Sequence, residues 1–167
     1  HKKTDEENKV LEFQYGARRC ISNYEDAYQI LTSKYRKEQG ENIWNIGKSV
    51  YLYLSTEAKQ AYKNRFSVWL VEPHITLMHS TYKFTCINKE RFNPINFGID
   101  YHSEGYDGAC CFHYDGKTNL WRFSLYNDNG EVDCSKIAKQ YGGGGHKGAA
   151  GFVLSPDDFN RFMATNI

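Results

Sequence analysis

The chain has 167 residues, of which 40% are hydrophobic and 25% charged, with a formal net charge of +1 at pH 7. That composition suits one good core, or a small domain preceded by a partial one, and the near-zero charge excludes a global field that draws in nucleic acid, so any basic patch is local. The five cysteines form no C-x-x-C pair, which argues against a disulfide framework or a cysteine zinc site and for a reducing, cytoplasmic location, and no apolar run reaches the roughly 20 residues of a membrane span.

In chain order, residues 1–40 read as helical. A start at His1 rather than Met reads as a processed or truncated piece. Ser22-Asn23-Tyr24-Glu25 resembles a capping box with Ser22 as the cap, and Ala27, Tyr28, Leu31 and Tyr35 then recur near a period of 3.6. Gly40 is read as the stop. A second helix is drawn from Glu41 to about Asn64, with a strand over Val50–Leu54 as the rival reading, because that run is β-prone and Gly47 weakens the helix.

From Arg65 the period shifts toward two. Strands are expected over Phe66–Val71, Tyr82–Ile87 and Ile95–Tyr101, followed by a hairpin of Ala109–Tyr114 and Leu120–Tyr126 and a turn at Asn127–Gly130. A short helix covers Cys134–Tyr141, capped by Asp133 or Ser135, with Ile137, Ala138 and Tyr141 pointing inward. A strand over Gly151–Leu154 precedes a last helix, announced by Ser155-Pro156-Asp157-Asp158 and carrying Phe159, Phe162 and Met163 on one stripe. The expected fold class is α/β, a mixed sheet with helices, preceded by N-terminal helices.

Between that short helix and the strand stands Tyr141-Gly142-Gly143-Gly144-Gly145-His146-Lys147-Gly148-Ala149-Ala150-Gly151. Four glycine amides unshielded by side chains can curl around one anion, with His146 and Lys147 as donors at the rim. Because the preceding helix turns its negative end toward this loop, the dipole cannot help, and the amides, His146 and Lys147 must supply the attraction. A tight turn at a helix end is the structural alternative. It needs one glycine, whereas each extra one costs about 0.5–1 kcal/mol relative to alanine. Arg122, Ser124 and Tyr126 alternate along one strand and share a face: either its wet side, or, if it borders the loop, hydrogen-bonding partners for a phosphate or ribose.

Other chemistry finds little support. His74 and His79 have no acid at a recognised spacing, and His102 and His113 lie in different segments. Asp157-Asp158 is explained by its helix start. Neither a two-metal cluster nor a glycine-elbow nucleophile is visible.

Trp121–Tyr126, Val132–Ala138 and the stretch Tyr141–Phe152 together resemble the DHH-associated C-terminal domain of DHH-family phosphoesterases. That family includes RecJ-type exonucleases, enzymes degrading short oligoribonucleotides, and cyclic dinucleotide phosphodiesterases. The resemblance implies a domain that grips substrate phosphate through the glycine loop, here Gly142, Gly143, Gly144, Gly145 and His146, with Lys147, Ala149, Ser124, Tyr126 and Arg122 around it. Many members carry an arginine where this chain has Tyr126, so the resemblance does not carry over an arginine clamp on the terminal phosphate or base, and a tyrosine is expected to stack or donate instead. The resemblance further implies hydrolysis by two Mn²⁺ ions on a DHH domain of the same polypeptide; no Asp-His-His occurs here, so this chain alone is expected to hydrolyse nothing.

On this reading residues 1–64 are the end of the DHH domain plus a linker helix, and residues 65–167 the substrate-binding domain. The implied partner is a short single-stranded nucleic acid or nucleotide, with no membrane. Two other readings stay open: a self-standing nucleic-acid-binding module, and a structural or dimerising domain whose loop binds no phosphate.

Overall fold

Residues 4–73, 80–90 and 92–167 are described by the structure, a computed structural model. His74 and His79 lie outside them. By its internal contacts the chain divides into two units, His1–Lys59 with Asn96–Gly98, and Gln60–Ile95 with Ile99–Ile167.

The first unit is helical. α1 (Asp5–Cys20) opens with a capping box that the sequence reading did not pick out: Thr4 Oγ1 accepts from Glu7 N at 3.2 Å, and Glu7 Oε2 accepts from Thr4 N at 2.7 Å. α2 (Tyr24–Thr32) starts one residue later than expected. Asn23 rather than Ser22 is its cap, accepting from Asp26 N at 2.8 Å, and the Asp26 carboxylate accepts from Ser22 N at 2.9 Å.

α3 runs unbroken from Arg36 to Tyr62, so Gly40 does not stop a helix and Val50–Leu54 is not a strand. Tertiary packing outweighs the roughly 1 kcal/mol that a mid-helix glycine costs. A Cβ on Gly16 of α1 would lie 1.9 Å from the Ile43 carbonyl oxygen, and one on Gly47 of α3 would lie 1.8 Å from that of Glu12. The two glycines thus let the helix backbones touch. Trp44 Nε1 donates to Glu12 Oε2 at 2.8 Å, and Tyr51 donates to the Asn96 carbonyl at 2.9 Å.

The second unit is a mixed six-stranded sheet in the order β1-β2-β3-β4-β6-β5. Its strands are β1 (Phe66–Glu72), β2 (Ser80–Asn88), β3 (Gly108–Asp115), β4 (Leu120–Tyr126), β5 (Gly144–His146) and β6 (Ala149–Leu154). Only β2 and β3 run parallel. The strand expected over Ile95–Tyr101 is instead a pair of 3-10 turns, Pro94–Phe97 and His102–Glu104. Pro94 lacks the N–H a ladder needs, Asn93 Oδ1 accepts from Ile95 N at 3.1 Å, and Gly98 sits at φ 67°, where an extended chain cannot continue.

Alternation then sorts the residues of the sheet. On one face Val68, Leu70, Phe84, Cys86, Cys110, Phe112, Phe123, Leu125, Ala150 and Phe152 are buried with Ile137 and Ala138 of α4 (Cys134–Gln140) and Phe162 of α5 (Pro156–Asn166). The aromatic rings stack: Phe123 on Phe152 with centroids 4.7 Å apart, Trp121 on Phe159 at 4.0 Å and Tyr141 on Phe152 at 4.5 Å. Each such side chain contributes about 1.5–3 kcal/mol by leaving water. α4 is capped by Asp133, which accepts from Ser135 N and Lys136 N.

Candidate functional site

The opposite face of the sheet is covered in one half and open in the other. Thr85, Ile87, Ala109 and Cys111, on β2 and β3, are buried, whereas Ser124, Tyr126 and Gly151 are half-buried and Ala149 and His146 exposed. The glycine stretch lies at the open end. It is not a free loop: after α4 the chain turns at Tyr141 and Gly142, runs as the edge strand β5, and returns through Lys147 and Gly148 into β6.

Register puts the candidates in rows. Tyr126, Ala149 and His146 are successive partners across β4, β6 and β5; Ser124, Gly151 and Gly144 form the next row; Arg122 and Val153 the one after. Arg122, Ser124 and Tyr126 share a face, as read from the sequence, and β6 stands between them and the glycines of β5. Cys111 lies opposite Ser124 on β3, on the same face as Ser124 and Tyr126. Sequence reasoning missed this thiol; only cross-strand pairing brings it there. Burial, and then the Cys111 thiol beside it, raise the Tyr126 phenol above its ordinary range, so it stays protonated and able to donate.

The glycines have separate reasons to be glycine. Gly142 sits at φ 74° at the end of α4, where left-handed backbone is routine for a helix stop. A Cβ on Gly143 would lie 2.1 Å from the Gly151 carbonyl oxygen, and Gly145, at φ 145°, would press a Cβ to 2.6 Å from Ala149 O and Ala150 Cα. Gly144 has neither constraint: its φ is ordinary, and a Cβ there would meet no atom within 4 Å.

The amides divide as well. Gly142 N donates to Lys139 O at 3.1 Å and Gly143 N to Ala138 O at 3.0 Å. The four-amide nest expected from the sequence is therefore corrected: α4 uses two of its donors, because the carbonyls at a helix C-terminus need partners themselves. What remains is the main chain of Gly144, Gly145 and His146 on an edge strand, where alternate N–H groups face away from the sheet.

Arg122 is on the right face but engaged. Its Nε donates to Asp115 Oδ2 at 2.8 Å, and this bond, then the Lys117 main chain, lowers the Asp115 carboxyl to about 2. Lys147 is exposed in the hairpin turn, and two neighbours pin that turn. Cys134 N donates to Lys147 O at 3.0 Å, and Asn127 N to Gly148 O at 2.9 Å. Asn127, 3% exposed, is the second residue whose role the sequence hid: its Nδ2 donates to Asp107 O at 2.7 Å, and its Oδ1 accepts from Gly130 N at 2.8 Å.

Next to it, Asp128 Oδ1 takes Tyr101 Oη at 2.9 Å and His102 Nε2 at 2.6 Å. Burial pushes the Asp128 carboxyl up, but those hydrogen bonds outweigh it and hold the group below its ordinary value. Among the described residues no three His, Cys, Asp or Glu side chains gather as a metal site. No described helix is long and apolar enough to cross a membrane.

The family model of the DHHA1 domain matches residues 101–166. Among solved structures the chain is similar to a pGpG-specific phosphodiesterase from Vibrio cholerae, at 14% identity and a TM-score of 0.46, over 81% of this chain and 42% of that one. The chain thus spans about two fifths of that structure's length. No curated protein matches.

Proposed function

We propose that the open rows of β4, β6 and β5, within the residues 101–166 that match the DHHA1 domain model, bind a phosphate of a short single-stranded oligonucleotide or nucleotide. Gly144 carries this reading. It keeps the residue with the largest entropic cost at a position that neither φ nor packing demands, beside Gly151 and Ser124 in a row whose largest side chain is a hydroxymethyl. A bare row of this kind lets a tetrahedral anion approach the main chain closely.

His146 and the protonated Tyr126 stand in the adjoining row as donors, Ser124 supplies a hydroxyl, and Lys147 adds charge at the hairpin tip. Ala149, between Tyr126 and His146, keeps that row low. Arg122 remains bound to Asp115 and shapes the far rim. Cleavage, and the Mn²⁺ ions that support it, belong in this reading to a DHH domain of the same polypeptide; this chain orients the phosphate toward it. The N-terminal helical unit is then part of that catalytic domain and its linker, and the cytoplasm the setting.

Titration of the amide spectrum with a 5′-phosphorylated dinucleotide at low salt tests the proposal. Shifts at Gly144, Gly145 and His146, with Gly142 and Gly143 following weakly because their N–H groups are already bonded, are expected. Resonances that stay still across β5 would refute it.

A further inference from the structure

A second feature of the same sheet face lies beyond the proposed phosphate site. Trp69 of β1 points away from the core and is 49% exposed, although its strand neighbours Val68 and Leu70 are fully buried. It pairs directly with Lys83 of β2, which places the two side chains roughly 5 Å apart at Cβ. The Lys83 ammonium lies 4.8 Å from the centre of the Tyr106 ring, and the Tyr106 hydroxyl meets Ser67 Oγ at 3.4 Å. The Asp107 carboxylate next to this group accepts the Lys83 main-chain N–H at 2.7 Å rather than pairing with the ammonium. An indole with an open face, a second aromatic ring and a cation held over that ring thus occupy one patch.

Resting on the phosphate-binding reading above, we propose that Trp69, Lys83 and Tyr106 form a distal contact surface for single-stranded nucleic acid. A base stacks on the Trp69 indole, and Lys83 meets a neighbouring phosphate. Aromatic faces accept any base, and a nearby ammonium supplies the sequence-independent attraction of the backbone. Lys83 gives the patch the charge complementary to that ligand.

The patch shares its side of the sheet with Tyr126 and His146, because Lys83 is two residues from Thr85, whose row continues through Ala109, Tyr126 and Ala149 to His146. Gly144 lies on β5, five strand spacings from β1, about 24 Å at roughly 4.8 Å each, and the intervening Thr85 and Ala109 are buried. A dinucleotide held at Gly144 does not span that distance, whereas a longer strand does. The surface therefore selects for length.

Binding of 5′-phosphorylated dithymidylate and decathymidylate to the whole chain is compared for wild type, Trp69→Ala, Trp69→Phe and Lys83→Gln. Trp69→Ala weakens the decamer about ten-fold, within the range measured for one stacked base; Trp69→Phe retains most of the affinity, Lys83→Gln lowers the salt dependence, and the dinucleotide binds all four alike. Decamer affinity unaffected by Trp69→Ala, or both ligands weakened equally, overturns the distal surface while leaving the phosphate site standing. Failure of the dinucleotide to shift Gly144 in wild type, with the decamer still sensitive to Trp69, overturns the phosphate site alone. A chain that binds neither overturns both.

Discussion

Gly144 faces Gly151 directly across the β5–β6 ladder, yet the two glycines answer to different constraints. A Cβ on Gly151 would come within 2.7 Å of the Phe123 carbonyl oxygen, while one on Gly144 would enter open space. The sheet demands one glycine, and packing does not demand the other.

This difference separates folding from binding by mutation. Gly143→Ala should lower stability by about 1–3 kcal/mol, because backbone must move to admit the methyl group. Gly144→Ala should leave the urea midpoint within about 0.5 kcal/mol of wild type yet reduce dinucleotide affinity several-fold, read by amide titration. Equal losses of stability at both positions would return the stretch to a structural role.

His146 is exposed at the end of the edge strand. His146→Ala should therefore leave the melting temperature close to wild type while weakening dinucleotide binding by about ten-fold or more, the worth of one hydrogen bond to a charged group. A large drop in melting temperature with affinity intact would contradict the proposed role.

Acid should act through Asp128. Its folded-state carboxyl lies below the ordinary value because the His102 and Tyr101 hydrogen bonds outweigh burial. A depressed carboxyl stabilises the fold fully above the unfolded value, near 3.9, and that contribution disappears as pH falls through the folded value. Asp128→Asn should be about 1–3 kcal/mol less stable at neutral pH, and urea melts repeated down to about pH 3 should show the gap to wild type closing. A gap independent of pH would mean that the charge of Asp128 is not what holds Tyr101 and His102.

In the helical unit, Gly47→Ala should cost about 1–3 kcal/mol or more, since its methyl group would lie 1.8 Å from Glu12 O. Gly40→Ala, in the same helix with nothing within 4 Å, should instead stabilise by up to about 1 kcal/mol. Thermal melts of the two variants shifting in the same direction would contradict the close α1–α3 approach.

Much was legible along the chain because it is local. Alternation announced β1, β2, the β3–β4 hairpin and the shared face of Arg122, Ser124 and Tyr126; Ser155-Pro156 announced α5; and the glycine-histidine stretch, with its flanking strand and helix, pointed to a DHH-associated domain. Local signals misled where a distant partner decided the outcome. Gly40 reads as a stop until α3 is seen packed through Gly47 onto α1, and Ile95–Tyr101 reads as a strand until Asn93, Pro94 and Gly98 bend it into turns.

Composition and pattern by themselves determined that this is an α/β chain with one glycine-histidine stretch between a helix and a strand, since period, capping and glycine content are written in consecutive residues. Only the tertiary structure decided that α4 takes up the Gly142 and Gly143 amides, that Cys111 pairs across the ladder with Ser124, and that Asn127 and Asp128 pin the surrounding loops. Each of those depends on which strand lies next to which and in what register, and hydrogen bonds across a sheet join residues that the sequence keeps far apart.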